Sequence, residues 1–183
     1  MGGRAHAFWK LGDNAKAEAE GKKSLAIKPD NFFACGVLAD LYASKGDYAK
    51  AAEQMEAAAR GEPKLAEHFN GVAINLRQKD QAISPASIWK AFDENEVAAE
   101  DQYKGKQVTV KGKVESITTN ALGKAQVKFG VDKYGLSGVL CEFEKANRSQ
   151  AATLKKGQTV FITGQCSGMV IKNVVLRDSA VLE

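Results

Sequence analysis

Residues 29–63 read PDNFFACGVLADLYASKGDYAKAAEQMEAAARGEP. Cys35, Leu38, Ala39 and Tyr42 fall at i, i+3, i+4 and i+7, the apolar stripe of one amphipathic helix. Gly46 then permits a tight turn, because glycine alone takes positive φ without a steric penalty. Ala51, Met55 and Ala58 form the inner face of a second helix that approaches the first closely, and Pro63 ends it because proline cannot continue a helix. The stretch is therefore an α-hairpin, and it has a partial copy upstream. Lys10-Leu11-Gly12-Asp13 recurs as Ser44-Lys45-Gly46-Asp47, Ala15-Lys16-Ala17 recurs as Ala49-Lys50-Ala51, and Pro29 recurs as Pro63, each pair 34 residues apart.

A 34-residue period of this kind resembles the tetratricopeptide-repeat family, over residues 1 to about 79. The second copy is complete. The first begins inside its first helix, with Ala5 and Phe8 at the places of Ala39 and Tyr42, so residues upstream are expected. A further step of 34 gives Phe69, Val72, Ala73 and Leu76. The pattern then fails, with Asp80 at the turn glycine and Pro85 at the packing alanine, and residues 65–79 read as a capping helix. The resemblance implies a concave groove lined by the first helix of each repeat, holding an unidentified protein or peptide. Its positions are Phe33, Gly36, Asp40 and Ala43, then Glu67, Asn70, Ile74 and Arg77; Phe33, Asp40, Asn70 and Arg77 are the candidate contacts. Gly36 and Asp40 stand where some members carry a Lys/Asn carboxylate clamp. Phe8, Trp9 and Leu11 open the array with no predecessor, so upstream chain or a homodimer through the first helices is expected to cover them.

The net charge of +4 hides an asymmetry: residues 1–100 carry 13 Lys/Arg against 15 Asp/Glu, and residues 101–183 carry 13 against 7. Two modules with different surfaces are implied. No run of about 18 apolar residues occurs, so no membrane span is expected. Cys35, Cys141 and Cys166 form no C-x-x-C pair, which argues against structural zinc, and leave open one disulfide between Cys141 and Cys166. The N-terminus lacks a signal-peptide core. Taken by itself the chain reads as cytoplasmic, and an upstream signal would instead make it periplasmic or a lipoprotein.

The second module follows a joint at residues 80–86 and occupies 87–183. Ser84 as N-cap and Pro85 at the first helical position start a helix whose apolar stripe is Ile88, Trp89, Phe92, Val97 and Ala98. The acidic residues around it read as a solvated face and not as a metal cluster. From Lys106 the period becomes alternating. Val108, Val110 and Val114 share a first strand bent at Gly112; Val127, Phe129 and Val131 share a second; Val139, Cys141 and Phe143 share a third. Arg148–Lys155 is a short helix, Val160 and Ile162 open a fourth strand closed by Gly164–Gly168, and Val174–Leu182 is a fifth. Three strands, a helix and two strands is the order of an OB-fold, a five-stranded barrel. The class expected is α+β in two domains: an α-hairpin array, then a five-stranded OB-fold β-barrel with a leading helix.

The residues Ser87-Ile88-Trp89-Lys90-Ala91-Phe92, Tyr103-Lys104-Gly105-Lys106, Val110-Lys111-Gly112-Lys113-Val114, Cys141-Glu142-Phe143, Leu154 to Val160 and Gly164-Gln165-Cys166-Ser167-Gly168 resemble the tRNA-anti-like OB family of bacterial proteins. That resemblance implies a fold more than a ligand. Lys111, Lys113, Lys128 and Tyr134 are the candidate ligand-binding residues, a basic strip suited to a polyanion or an oligosaccharide. Glu142 and Glu144, outward on the third strand, oppose phosphate and are expected to pair with lysines. The expected function is a non-enzymatic adaptor whose barrel binds an oligosaccharide or protein segment, the alternative being single-stranded nucleic acid. No catalytic residue, cofactor or metal is expected: His6 and His68 sit on repeat helices away from any nucleophile, and no glycine loop carries a Walker lysine.

Overall fold

The side chains of Asp13, Asn31 and Asp47 accept from the amides of Lys16 (3.1 Å), Ala34 (3.3 Å) and Lys50 (3.2 Å), and so set the starts of three helices. In a computed structural model that describes residues 2–182, the chain divides into two compact units, Met1–Asp80 and Gln81–Glu183. The first holds α1 (Gly2–Lys10), α2 (Asn14–Ile27), α3 (Phe32–Ser44), α4 (Tyr48–Gly61) and α5 (Ala66–Asp80), the last preceded by a 3-10 turn at Pro63–Leu65. The repeat is visible in the backbone: Gly12 and Gly46 share φ values of 77° and 80° ahead of Asp13 and Asp47. Ala5, Ala17, Val37, Leu38 and Leu41 form one buried cluster, against which Phe8 and Trp9 lie half-buried. Ala39, Ala51, Ala52, Ala73 and Leu76 form the next. Small alanines at these positions let the helices pack closely. Leu11 alone of the opening trio is fully in solvent, at 80% exposure.

The second unit begins with α6 (Pro85–Glu94), whose Ser84 cap accepts from the Ser87 amide, and α7 (Glu96–Tyr103). One continuous helix does not form here. Asn95 is extended (φ −157°, ψ 91°), ending α6 and capping α7 through the Ala98 amide. The break rotates the stripe, so that Val97 and Ala98 are exposed and Ala99 is buried with Ile88 and Phe92. Ahead of α6, Ile83 bridges to the strand at Gln107–Lys113: its amide donates to the Thr109 carbonyl and its carbonyl accepts from the Lys111 amide, both at 3.0 Å.

Six strands follow: β1 (Gln107–Lys113), β2 (Ser116–Thr119), β3 (Ala125–Gly130), β4 (Gly138–Phe143), β5 (Thr159–Val170) and β6 (Asn173–Leu182), with α8 (Arg148–Thr153) between β4 and β5. The hydrogen-bonded order is β1-β5-β6-β4-β3-β2, antiparallel throughout except for β4 beside β6. The count of five strands is thus corrected to six among the described residues, and the order is that of an open mixed sheet, not a closed barrel. The first strand is cut because it changes partner. Val114 still exchanges bonds with Gly157 and Gln158 (both 2.8 Å), and one residue later the Glu115 amide donates to the Lys128 carbonyl on β3. Gly164–Gly168 does not close the fourth strand. β5 runs through to Val170, and the ladder to β6 shifts register between Thr163 and Gln165 and again between Cys166 and Met169. One core, including Ile88, Phe92, Val110, Val114, Val127, Phe129, Val139, Phe143, Ile162, Val174 and Leu176, joins α6 to the sheet.

Candidate functional site

Strand register fixes what the outer face of β3, β4 and β6 presents. Val127, Phe129, Val139, Cys141, Val174 and Leu176 point inward and are buried, so their neighbours point out. Two rows result. Ser116, Lys128, Leu140 and Val175 face one another across β2, β3, β4 and β6. Thr118, Gln126 and Glu142 make the second row, and Arg177 lies beside it. Glu142 is the hub. Its Oε1 accepts from Gln126 Nε2 (2.8 Å) and Asn120 Nδ2 (3.5 Å), its Oε2 lies 4.0 Å from Arg177 Nε, and the side chain is only 17% exposed. The second row is a hydrogen-bonded polar lattice carrying both signs of charge, while in the first Leu140 is half-buried and Val175 buried. Glu144 does pair with a lysine, Lys124.

The four residues named from the sequence lie in different places. Lys111 and Lys113 are exposed on β1, opposite Phe161 and Thr159 of β5, and the Lys111 ammonium sits 5.0 Å from the Phe161 ring centroid. Lys128 is on β3, with its ammonium donating to the carbonyls of Gly135 (2.7 Å) and Leu136 (3.3 Å) in the β3–β4 loop. Tyr134 is in that same loop, 72% exposed. Lys128 and Tyr134 are brought together; the β1 lysines share no row with them. Gln126, Asn120 and Arg177 were missed from the sequence. Outward polar residues at alternate positions signal a solvated face, and only register shows that three of them converge on Glu142.

On the helical unit, Phe33 is 57% exposed with its ring 4.1 Å from Phe32, and Asp40 and Asn70 are exposed on α3 and α5. Partial desolvation raises the Asp40 carboxyl above its usual range, while His6, 34 residues earlier on α1, pulls it the other way. That coupling puts equivalent positions of two repeats side by side. Arg77 is drawn off to Glu56 of α4 through Nε (3.2 Å) and Nη2 (3.0 Å), and Ile74, on the same helix as Arg77, is an exposed apolar residue like Phe33.

All three cysteines are buried free thiols. Cys141 of β4 and Cys166 of β5 both stand opposite Leu176 of β6, two strand spacings or roughly 9–10 Å apart. A disulfide needs Cα atoms within about 4.4–6.8 Å, so an intact β6 forbids the bridge. Burial pushes the Cys35 thiol up to about 11 and raises Cys141 and Cys166 as well, which leaves them unreactive. Among the described residues, no group of three or more His, Cys, Asp or Glu is placed to hold a metal ion, and no helix is long and apolar enough to cross a membrane.

Paired α-hairpins ahead of a mixed β-sheet with a helix between its fourth and fifth strands define a repeat-plus-sheet protein. The chain belongs to the tRNA_anti-like family, whose model matches residues 27–180, and a tetratricopeptide-repeat model matches residues 2–31. Among solved structures, it is similar to a lipoprotein of Klebsiella pneumoniae subsp. pneumoniae, described as a candidate nucleic acid-binding protein, at 20% identity and a TM-score of 0.45, over 56% of this chain and 92% of that one. No curated protein matches significantly.

Proposed function

We propose that this chain is a non-enzymatic binding protein. Its α-hairpins hold a polypeptide segment, and its β-unit acts as an OB-type module for an oligosaccharide or protein segment. The observation that carries the second half is Glu142 at the centre of the β3–β4–β6 face, bonded by Gln126 and Asn120 and flanked by Arg177. A face of this make-up offers paired donors and acceptors to hydroxyl or amide groups. A phosphate backbone there would meet a fixed carboxylate, and Lys128, the one lysine of that face named from the sequence, has its ammonium bonded to loop carbonyls. For the helical unit, the support is the repeat match together with Phe33 and Ile74 left in solvent.

Two measurements test the reading. Photo-crosslinking residues placed at Phe33 and Ile74 should trap a defined polypeptide, and one placed at exposed Glu53 of α4 should not; equal adducts from both would remove the groove. A single-stranded oligonucleotide titrated by anisotropy should bind weakly and be insensitive to Glu142→Gln. Tight, steeply salt-dependent binding, lost on reversing Lys111 and Lys113, would replace the β-unit reading with the nucleic-acid alternative.

A further inference from the structure

The β3–β4 loop and the β5–β6 turn lie side by side at one end of the sheet, because the Gly138 amide donates to the Lys172 carbonyl (3.2 Å). Between them they leave four large apolar side chains in solvent: Tyr134 (72%), Leu136 (68%), Val170 (52%) and Ile171 (89%). Single exposed hydrophobes are ordinary; four on two adjoining loops make a patch. Neither loop exposes them through looseness. Asp132 accepts from the amides of Tyr134 (2.7 Å), Leu136 (3.2 Å) and Ser137 (2.6 Å), and the Lys128 ammonium holds the carbonyls of Gly135 and Leu136 from beneath. In the β5–β6 turn, Ile171 and Lys172 both take positive φ (44° and 60°). A two-residue turn of this type favours Asn-Gly, and a β-branched residue is strained there. The turn is pinned by Trp89 Nε1, which donates to the Lys172 carbonyl (2.9 Å), and by Asn173 Nδ2, which donates to the Ile171 carbonyl (2.9 Å). The fold thus holds an isoleucine out at the tip in a conformation it disfavours.

We propose that this tip inserts into the surface of an anionic lipid bilayer. Charge decides the occupant. Lys133 and Lys172 are exposed beside the apolar side chains. Of the two carboxylates at these loops, Asp132 is enclosed by three backbone amides, and Glu115 lies tucked against Gly130 and Gly135 with its Oε2 buried, so neither stands out beside the tip. Two convex loops with aliphatic and aromatic tips and a basic rim suit a soft negative plane, in which the apolar groups reach the acyl boundary while the ammonium groups meet headgroup phosphates. The tip shares Lys128 with the outer face of the sheet but none of the residues bonded to Glu142.

The test is cosedimentation of the full chain with vesicles of phosphatidylcholine containing phosphatidylglycerol, against vesicles of phosphatidylcholine alone. The protein should partition onto the anionic vesicles. Ile171→Asn keeps the turn, since asparagine tolerates positive φ, and should weaken partitioning about tenfold or more with an unchanged or raised melting temperature. Lys133→Ala with Lys172→Ala should abolish the preference for anionic vesicles. No partitioning of the wild-type protein at low salt would overturn the proposal. So would an Ile171→Asn protein that binds as well as wild type, which would mean adsorption by charge alone. A wild-type dimer abolished by Ile171→Asn would make a second copy the occupant, and would equally overturn it.

Discussion

At Gly61, a side chain has nowhere to go: a Cβ built there would lie 1.7 Å from the Asp30 carbonyl oxygen, where the end of α4 meets the α2–α3 connection. Gly36, in the middle of α3 on the proposed groove, has nothing within 4 Å of its Cβ position. The same substitution should therefore act in opposite directions. Gly61→Ala should destabilise by the upper part of the roughly 1–3 kcal/mol range for overpacking, and Gly36→Ala should stabilise by about 0.5–1 kcal/mol through helix propensity. Urea unfolding of the two variants reads both signs. Asp132 gives a second prediction at this scale. Burial raises its carboxyl, but the Ser137 hydroxyl and the amides of Ser137, Tyr134 and Leu136 outweigh that and hold it at about 2, below the ordinary 3.8. Because the folded value is depressed, the loop's support is complete above about 3.8 and is lost as pH falls through about 2. Amide shifts of Tyr134, Leu136 and Ser137 should titrate together with a midpoint near 2; a midpoint near 3.8 would mean that the loop bonds are not formed in solution.

Among the elements, α6 contributes most to the β-unit beyond the sheet itself. Ile88 and Phe92 are buried in the same core as Phe129 and Phe143, and the Trp89 indole ties the helix to the β5–β6 turn. Phe92→Ala should cost about 3–5 kcal/mol, the usual penalty for emptying an aromatic site. Asn95→Ala removes only the α7 cap and should cost about 1 kcal/mol. Comparable losses from the two variants would show that α6 is not packed as described. This region also marks where the sequence was harder to read. The i, i+1, i+4 spacing of Ile88, Trp89 and Phe92 was legible as a helix, and Ser84 with Pro85 was legible as its start. The stop at Asn95 was not, because asparagine is compatible with a helix interior and becomes a cap only when its backbone is extended. By sequence, Gly164 and Gly168 mark the end of a strand; in the sheet they bend one that continues, since β6 supplies partners on both sides of each register shift.

For the molecule as a whole, the apolar clusters divide cleanly: one lies entirely within residues 83–181, and the others lie within residues 5–76. Calorimetry should show two unfolding transitions, with Gly61→Ala shifting only one and Phe92→Ala only the other. A single transition moved by both would show one cooperative core. The 34-residue period, the helical positions it predicts, the change to alternation near Lys106 and the family resemblances were all determined by the sequence, because helix and strand periodicity and turn glycines are local properties of the chain. What a residue faces is not local. Whether Lys111 and Lys113 stand beside Lys128 depends on the partner exchange at Val114 and Glu115. The meeting of Gln126, Asn120 and Arg177 at Glu142 depends on register between strands up to about fifty residues apart. Cys141 and Cys166 are kept apart by β6, which the chain forms only after both. Pairing across a sheet is decided by the global packing of buried faces, so the tertiary structure alone placed the polar lattice, separated the thiols and set the β3–β4 and β5–β6 loops at one tip.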